Sequence, residues 1–135
     1  MPEFSGRSKA RLLTCHPDLQ RLFNEVIKRR DCTIIHGRRN QDEQDELFRT
    51  GFSKLEYPHS KHNKLPSHAV DAMPYFSMEP HVRWDDIESM YNFVGYVQGI
   101  GDQLGIKIRS GADWNENLDF DDQSFIDAAH FELVD

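Results

Sequence analysis

The sequence predicts an α+β domain, with a small, mostly antiparallel sheet and helices packed on one side of it. Two long stretches carry apolar residues at helical spacing, and four short β-prone runs lie between loops. No internal repeat, low-complexity tract or linker divides the 135 residues, a length suited to one compact domain over 1–135 and too short for two.

The elements follow in order. His16-Pro17-Asp18 starts a helix, with proline at or near its first position, and Leu19, Leu22, Phe23, Val26 and Ile27 then recur at helical spacing. Lys28-Arg29-Arg30 follows at the helix C-terminus, where cations suit the dipole. Cys32 to His36 is a β-prone run ended by Gly37. Gln41 to Arg49 is polar and helical in character, with Leu47 and Phe48 as apolar anchors. Gly51 to Pro66 is a loop, and Ala69 to Tyr75 reads as a strand. A second long helix starts near Asp85, with Glu88 three residues on in a capping-box arrangement. Its apolar set is Ile87, Met90, Tyr91, Val94, Val97 and Leu104; Gly99 and Gly101 weaken its later turns, and Gly105 closes it. Ile106 to Arg109 is a short strand, Asp113 to Asp122 an acidic loop, and His130 to Val134 the closing strand.

Composition excludes several classes. The chain is 38% hydrophobic and 29% charged, with a mean hydropathy of -0.70, which is neither a disordered nor a membrane composition. No apolar run approaches the roughly 20 residues that span a bilayer. A net charge of -7 argues against nucleic acid as the main partner, because a duplex binder needs a basic face. Cys15 and Cys32 lack CxxC spacing and read as free thiols, with a disulfide between them as the alternative, not as a zinc-thiolate site. Met1 to Arg11 is polar and basic without the apolar core of a secretory signal, so the expected location is a cytoplasm until the protein is released.

Two stretches carry chemistry: Ser60-Lys61-His62 through Ala69-Val70-Asp71, and Asp127-Ala128-Ala129-His130-Phe131-Glu132. Strand alternation puts His130 and Glu132 on one face and Phe131 and Leu133 on the other, toward the core. Asp127 sits at the strand's beginning, where a carboxylate can lie beside a metal without ligating it. Asp71 lies on a strand, and His62 comes from the loop before it. Two histidines and an aspartate make a plausible three-ligand zinc set with an open position for water. Seven histidines in 135 residues are not diagnostic, however, and surface or hydrogen-bonded core positions account for them as well.

Ser60-x-His62…Ala69-x-Asp71 followed by Asp127-x-x-His130 resembles the zinc D-Ala-D-Ala carboxypeptidase and dipeptidase family. It looks closest to the phage endolysins of that family that are L-alanyl–D-glutamate peptidases. Gly37-Arg38-Arg39-Asn40, Gly111-Ala112-Asp113-Trp114-Asn115 and His130-Phe131-Glu132-Leu133-Val134 resemble further motifs of those enzymes, in order, from about His16 to Val134. The resemblance implies a zinc site in a cleft on the sheet, with His62, Asp71 and His130 as ligands. It implies Asp127 as general base and acid, and Arg39 as holder of a substrate carboxylate or developing oxyanion. Ser60 and Trp114 are the remaining substrate-binding candidates.

His62 and Asp71 are nine residues apart where the family has seven, which opens His68 as a rival ligand; His62 keeps the Ser-x-His context. Arg38 is likewise a rival to Arg39, and Glu132 is either a partner that orients a ligand or an ordinary strand carboxylate. His59 and His81 read as loop surface, and His36, which precedes the Arg turn, reads as structural with a place near the cleft as the alternative. Asp113, Asn115, Asn117, Asp119 and Asp122 resemble a regulatory calcium loop of related endolysins, although Leu118 stands where an EF-hand has glycine. The alternative is a solvated acidic loop.

The function these implications support is a monomeric endolysin that hydrolyses the L-Ala–D-Glu bond of the peptidoglycan stem peptide by zinc-activated water. It would be held in the host bacterial cytoplasm, with no nucleic acid partner and no stable membrane insertion. A D-Ala-D-Ala carboxypeptidase or dipeptidase keeps the same chemistry at another bond. A non-catalytic wall-binding or virion module is the alternative of a different class.

Overall fold

The computed structural model describes residues 2–122 and 127–134. Among them the chain runs α1 (Gly6–Leu12), α2 (Pro17–Val26), β1 (Cys32–His36), α3 (Gln41–Arg49), a 3-10 turn at Lys61–Asn63, β2 (Ala69–Pro74), α4 (Ile87–Leu104), β3 (Ile108–Gly111), a second 3-10 turn at Phe120–Asp122 and β4 (Asp127–Leu133). The four strands form one sheet in the order β1-β2-β4-β3, antiparallel throughout. This is the α+β class expected from the sequence.

Periodicity explains the core. Leu19, Leu22, Phe23 and Val26 fall on one stripe of α2, and Phe93, Val94 and Val97 on one stripe of α4; all are buried. The two helices pack against each other, and α4 also packs on the sheet. Phe131 of β4 meets both, edge-on to Phe23 at 5.6 Å and to Phe93 at 6.1 Å between ring centroids. Cys15 and Cys32 are both free and buried, and burial pushes their thiols up to about 11 and about 12.

Several boundaries differ from expectation. Helix α1 falls within the N-terminal segment read only as polar and basic. The Ser8 hydroxyl accepts from the Ile34 amide at 3.0 Å, and Arg11 Nη1 donates to the Ile34 carbonyl at 3.0 Å, which covers the outer edge of β1. The cap of α4 is Asp86, not Asp85: its carboxylate accepts from both the Ser89 amide and hydroxyl, at 3.1 and 2.7 Å. Helix α4 runs unbroken to Leu104, and Gly105 closes it in the left-handed conformation at φ 70°. Strand β3 begins at Ile108, because the Ile106 amide still bonds back to the Gly101 carbonyl at 2.9 Å. Phe48 is 42% exposed, so it does not anchor α3; the one buried side chain of that helix is Gln44. No helix among the described residues is long and apolar enough to cross a membrane.

Candidate metal centre and cleft

Strand register assembles the site on the sheet. Asp71 of β2 and His130 of β4 are cross-strand partners, so their side chains leave the same face side by side. An irregularity in β1 between Ile34 and His36 brings His36 opposite Asp71. His62 arrives from outside the sheet on its 3-10 turn, which the Ser60 hydroxyl caps by accepting from the His62 amide at 3.2 Å.

His62 Nε2 lies 3.2 Å from Asp71 Oδ1, and His130 Nδ1 lies 3.3 Å from the same oxygen. One ligand atom from each of His62, Asp71 and His130 falls within 4.8 Å of the other two. Tetrahedral ligands about 2.0–2.1 Å from zinc stand roughly 3.3 Å apart, so the spacing suits that ion. The outer hydrogen bonds suit it too. His62 Nδ1 lies 2.8 Å from the Gly37 carbonyl, which can only accept, so that nitrogen carries a proton and Nε2 is the one turned toward Asp71. His130 Nε2 donates to Glu132 Oε1 at 2.9 Å, leaving Nδ1 for a cation. Asp71 Oδ2 accepts from Arg39 Nη2 at 2.9 Å and from His36 Nδ1 at 3.1 Å. Each prospective ligand is therefore oriented by a partner on its far side.

The electrostatics follow from burial and pairing. Burial alone would raise the Asp71 carboxyl, but the His62 imidazole and hydrogen bonds from His130, His36 and His62 outweigh it and hold the group well below the usual carboxylate range. Burial would likewise lower His130, yet hydrogen bonds to Asp71 and Glu132 raise it to about 9. Burial opposes ionisation of Glu132 as well, but His130 and Arg109 bring it down to about 2. Asp127 moves the other way: burial, then repulsion by Asp71, raises its carboxyl. A carboxyl that takes up a proton more readily than usual, in the same cleft, suits general acid–base work.

Asp127 reaches the cleft through a break in alternation. Phe131 pairs with Ser110, whereas the next residue of β3, Gly111, pairs with Asp127, three residues beyond the regular partner. An odd offset moves a side chain to the other face, so Asp127 lines the cleft with His130 instead of joining Phe131 in the core. Gly111 is needed there, because a Cβ at that position would sit 2.0 Å from the Asp127 carbonyl oxygen.

The cleft has a volume of about 370 Å³. Arg39, Ser60, Trp114 and Asp127 all line it beside His62 and His130, and the Trp114 ring lies 5.4 Å from that of His130.

A model of the family described as phage L-alanyl-D-glutamate peptidase matches residues 2–134. The chain belongs to this family. The L-alanyl-D-glutamate peptidase of Escherichia phage T5 is 31% identical over 137 residues, with 98% of each chain covered. The crystal structure of the Serratia marcescens L-Ala D-Glu endopeptidase ChiX shares the fold, with a TM-score of 0.74 over 98% of this chain and 90% of that one, at 24% identity.

Within this family member the rival positions separate. His62 stands with Asp71 and His130, whereas the His68 ring packs edge-on against His16 at 5.2 Å. Arg39 reaches Asp71, while the Arg38 amide bonds Thr14 Oγ1 at 2.8 Å. Glu132 orients His130. His36 takes the place near the cleft that its position before the Arg turn allowed, touching Asp71, and His59 is an exposed loop residue at the cleft's lining. His81 stacks on Tyr75 at 5.0 Å and bonds the Phe76 carbonyl at 2.7 Å, so it stitches a loop together.

The acidic loop spends its oxygens on its own backbone. Asp113 is fully buried, and its two carboxylate oxygens accept from the Asn117 and Leu118 amides at 3.2 and 3.0 Å. Asn117 accepts from the Asp119 amide at 2.9 Å, and Asp119 from the Asp121 amide at 3.0 Å. Those bonds account for the alternating pattern as local turns. The Asp122 side chain lies outside the described residues.

Sequence reasoning missed Gln44, Lys61 and Arg109. Fully buried, Gln44 accepts from Arg39 Nη1 and Asn63 Nδ2, both at 3.3 Å, and donates to Ser53 Oγ and the Leu55 carbonyl at 2.8 and 2.7 Å. All four hydrogen-bonding positions of its amide are filled.

Proposed function

We propose that this chain is a zinc-dependent endolysin, one catalytic domain over residues 1–135, that hydrolyses the L-Ala–D-Glu bond of the peptidoglycan stem peptide. The observation that carries the reading is the convergence of His62, Asp71 and His130, each already oriented from behind, with Asp127 in the same cleft. His62, Asp71 Oδ1 and His130 would hold the ion. Bound there, zinc supplies Lewis acidity, polarising a carbonyl and lowering the pKa of water.

The protein's own groups do the rest. Asp127 takes the proton of the attacking water and delivers it to the departing amine of D-glutamate. Arg39 steadies Asp71 through Nη2 and lends positive charge to the cleft wall, where negative charge grows on the scissile oxygen. Ser60 and Trp114 line the cleft beside the two imidazoles and would contact the substrate there.

The family description and the names of both relatives specify the L-alanyl–D-glutamate bond, which favours it over D-Ala-D-Ala. A cleft that unites a general base with a complete ligand set favours an enzyme over a non-catalytic wall module. We place the protein in the host cytoplasm as a monomer that reaches the wall on release.

The test is digestion of purified peptidoglycan with zinc-loaded protein. Soluble fragments bearing new N-terminal D-glutamate are expected. Intact stem peptides would contradict the assignment, and loss of a terminal D-Ala would redirect it to the carboxypeptidase reaction.

A further inference from the structure

Beside the metal centre, two cations share one carboxylate oxygen. Arg109 of β3 is the cross-strand partner of Glu132, and its Nη2 donates to Glu132 Oε2 at 2.7 Å. Lys61 Nζ approaches the same oxygen at 3.3 Å. The other carboxylate oxygen of Glu132 is taken by His130. Glu132 therefore cannot offer Arg109 the paired, fork-like contact that guanidinium groups favour. Arg109 Nε has no hydrogen-bond partner. Lys61 Nζ also donates to the Leu133 carbonyl, so the guanidinium of Arg109 is the group here whose donors Glu132 meets through one oxygen only. The Arg109 and Lys61 side chains are 33% and 21% exposed, and both line the cleft with His62, His130 and Asp127.

The substrate class supplies an anion for such a guanidinium. A glutamyl residue acylated on its amine has two carboxyl groups, and the peptide can continue through only one. The other stays beside the scissile bond as a carboxylate or a carboxamide. A C-terminal alanine in that place also carries a carboxylate, so what such a subsite distinguishes is the carboxylate from the carboxamide.

We infer that Arg109, with Lys61 beside it, forms a subsite for the free carboxylate of the D-glutamyl residue on the leaving side of the scissile bond, and so selects stem peptides that keep that carboxylate over those in which it is a carboxamide. The inference rests on the proposed L-Ala–D-Glu cleavage. One guanidinium would thus hold both the carboxylate that orients His130 and the substrate, which ties correct substrate placement to the metal site.

The test uses two soluble stem peptides that differ only in whether that group is carboxylate or carboxamide. The zinc-loaded wild type is expected to favour the carboxylate peptide by about tenfold in kcat/KM. Arg109→Gln brings the ratio close to one, and Arg109→Lys, which keeps the charge, retains most of the preference. Any damage passed through Glu132 to His130 lowers both rates together and cancels in the ratio, so a merely structural role leaves the ratio unchanged. A wild-type ratio near one, or an undiminished ratio in Arg109→Gln, overturns the subsite. Cleavage of neither peptide overturns instead the bond assignment on which it rests.

Discussion

His130 and Phe131 are adjacent on β4 and belong to different halves of the molecule. Phe131 faces α2 and α4 and meets the rings of Phe23 and Phe93, whereas His130 faces the cleft among Asp71, Glu132 and Trp114. Both are buried, but burial means different things on the two faces. On the core face it releases apolar surface from water and stabilises the fold. On the cleft face it strips water from charged groups, a cost offset only because each has a partner. The contrast teaches that the apolar face supports the polar one: the site is affordable because the other side of the same strands is packed.

Removing a single group from each face is the sharpest way to test that division. The largest effect is expected for Asp127→Ala, with kcat falling about 10²–10⁴-fold while zinc stays bound. Thermal stability should hold or rise, since a carboxyl that burial and Asp71 both disfavour is gone. Unchanged turnover in the peptidoglycan assay would remove Asp127 from the mechanism.

Next in size is Phe131→Ala. Truncating a fully buried ring that meets two helices should cost about 3–5 kcal/mol in denaturant unfolding. Any variant that remains folded should still bind zinc. Zinc loss out of proportion to the folded fraction would mean that the two faces are not separable.

A smaller change is expected for Glu132→Gln, which replaces the charged partner of His130 by a neutral one. Zinc affinity should weaken about 10–100-fold by competition with a chelator, with little change in the unfolding midpoint of the loaded protein at saturating zinc. An unaltered affinity would make Glu132 an ordinary strand carboxylate.

The mildest probe is pH applied to metal-stripped protein. His130 has a folded pKa of about 9 against about 6.5 in the unfolded chain. Its contribution to stability is complete below pH 6.5 and is lost as pH rises toward 9. The urea midpoint should therefore fall over that interval, and fall less in His130→Gln. A wild-type midpoint that is flat there would mean that His130 stays neutral in the stripped protein.

Some of this architecture was readable in the sequence for simple physical reasons. Helices α2 and α4 advertise themselves by apolar residues at helical spacing, and β4 by the alternation of His130, Phe131, Glu132 and Leu133. The ligand candidates were readable because motif order preserves them. What escaped depends on contacts between distant segments. The irregularity that sets His36 opposite Asp71 and the three-residue offset that swings Asp127 into the cleft are properties of strand pairing. Gln44 escaped because a polar residue buried by polar partners leaves no hydrophobic signature. Helix α1 is short, and its hold on β1 comes from Ser8 and Arg11 reaching the Ile34 backbone.

The direct test of the account is the metal content of the purified protein after zinc loading and exhaustive dialysis, measured for the wild type and for His62→Ala, Asp71→Ala and His130→Ala, each with its folded state checked by circular dichroism. One tightly held zinc per wild-type chain, and none in any folded variant, is the predicted result. A wild type that retains no zinc, or a His130→Ala protein that retains it as tightly as the wild type, would contradict it.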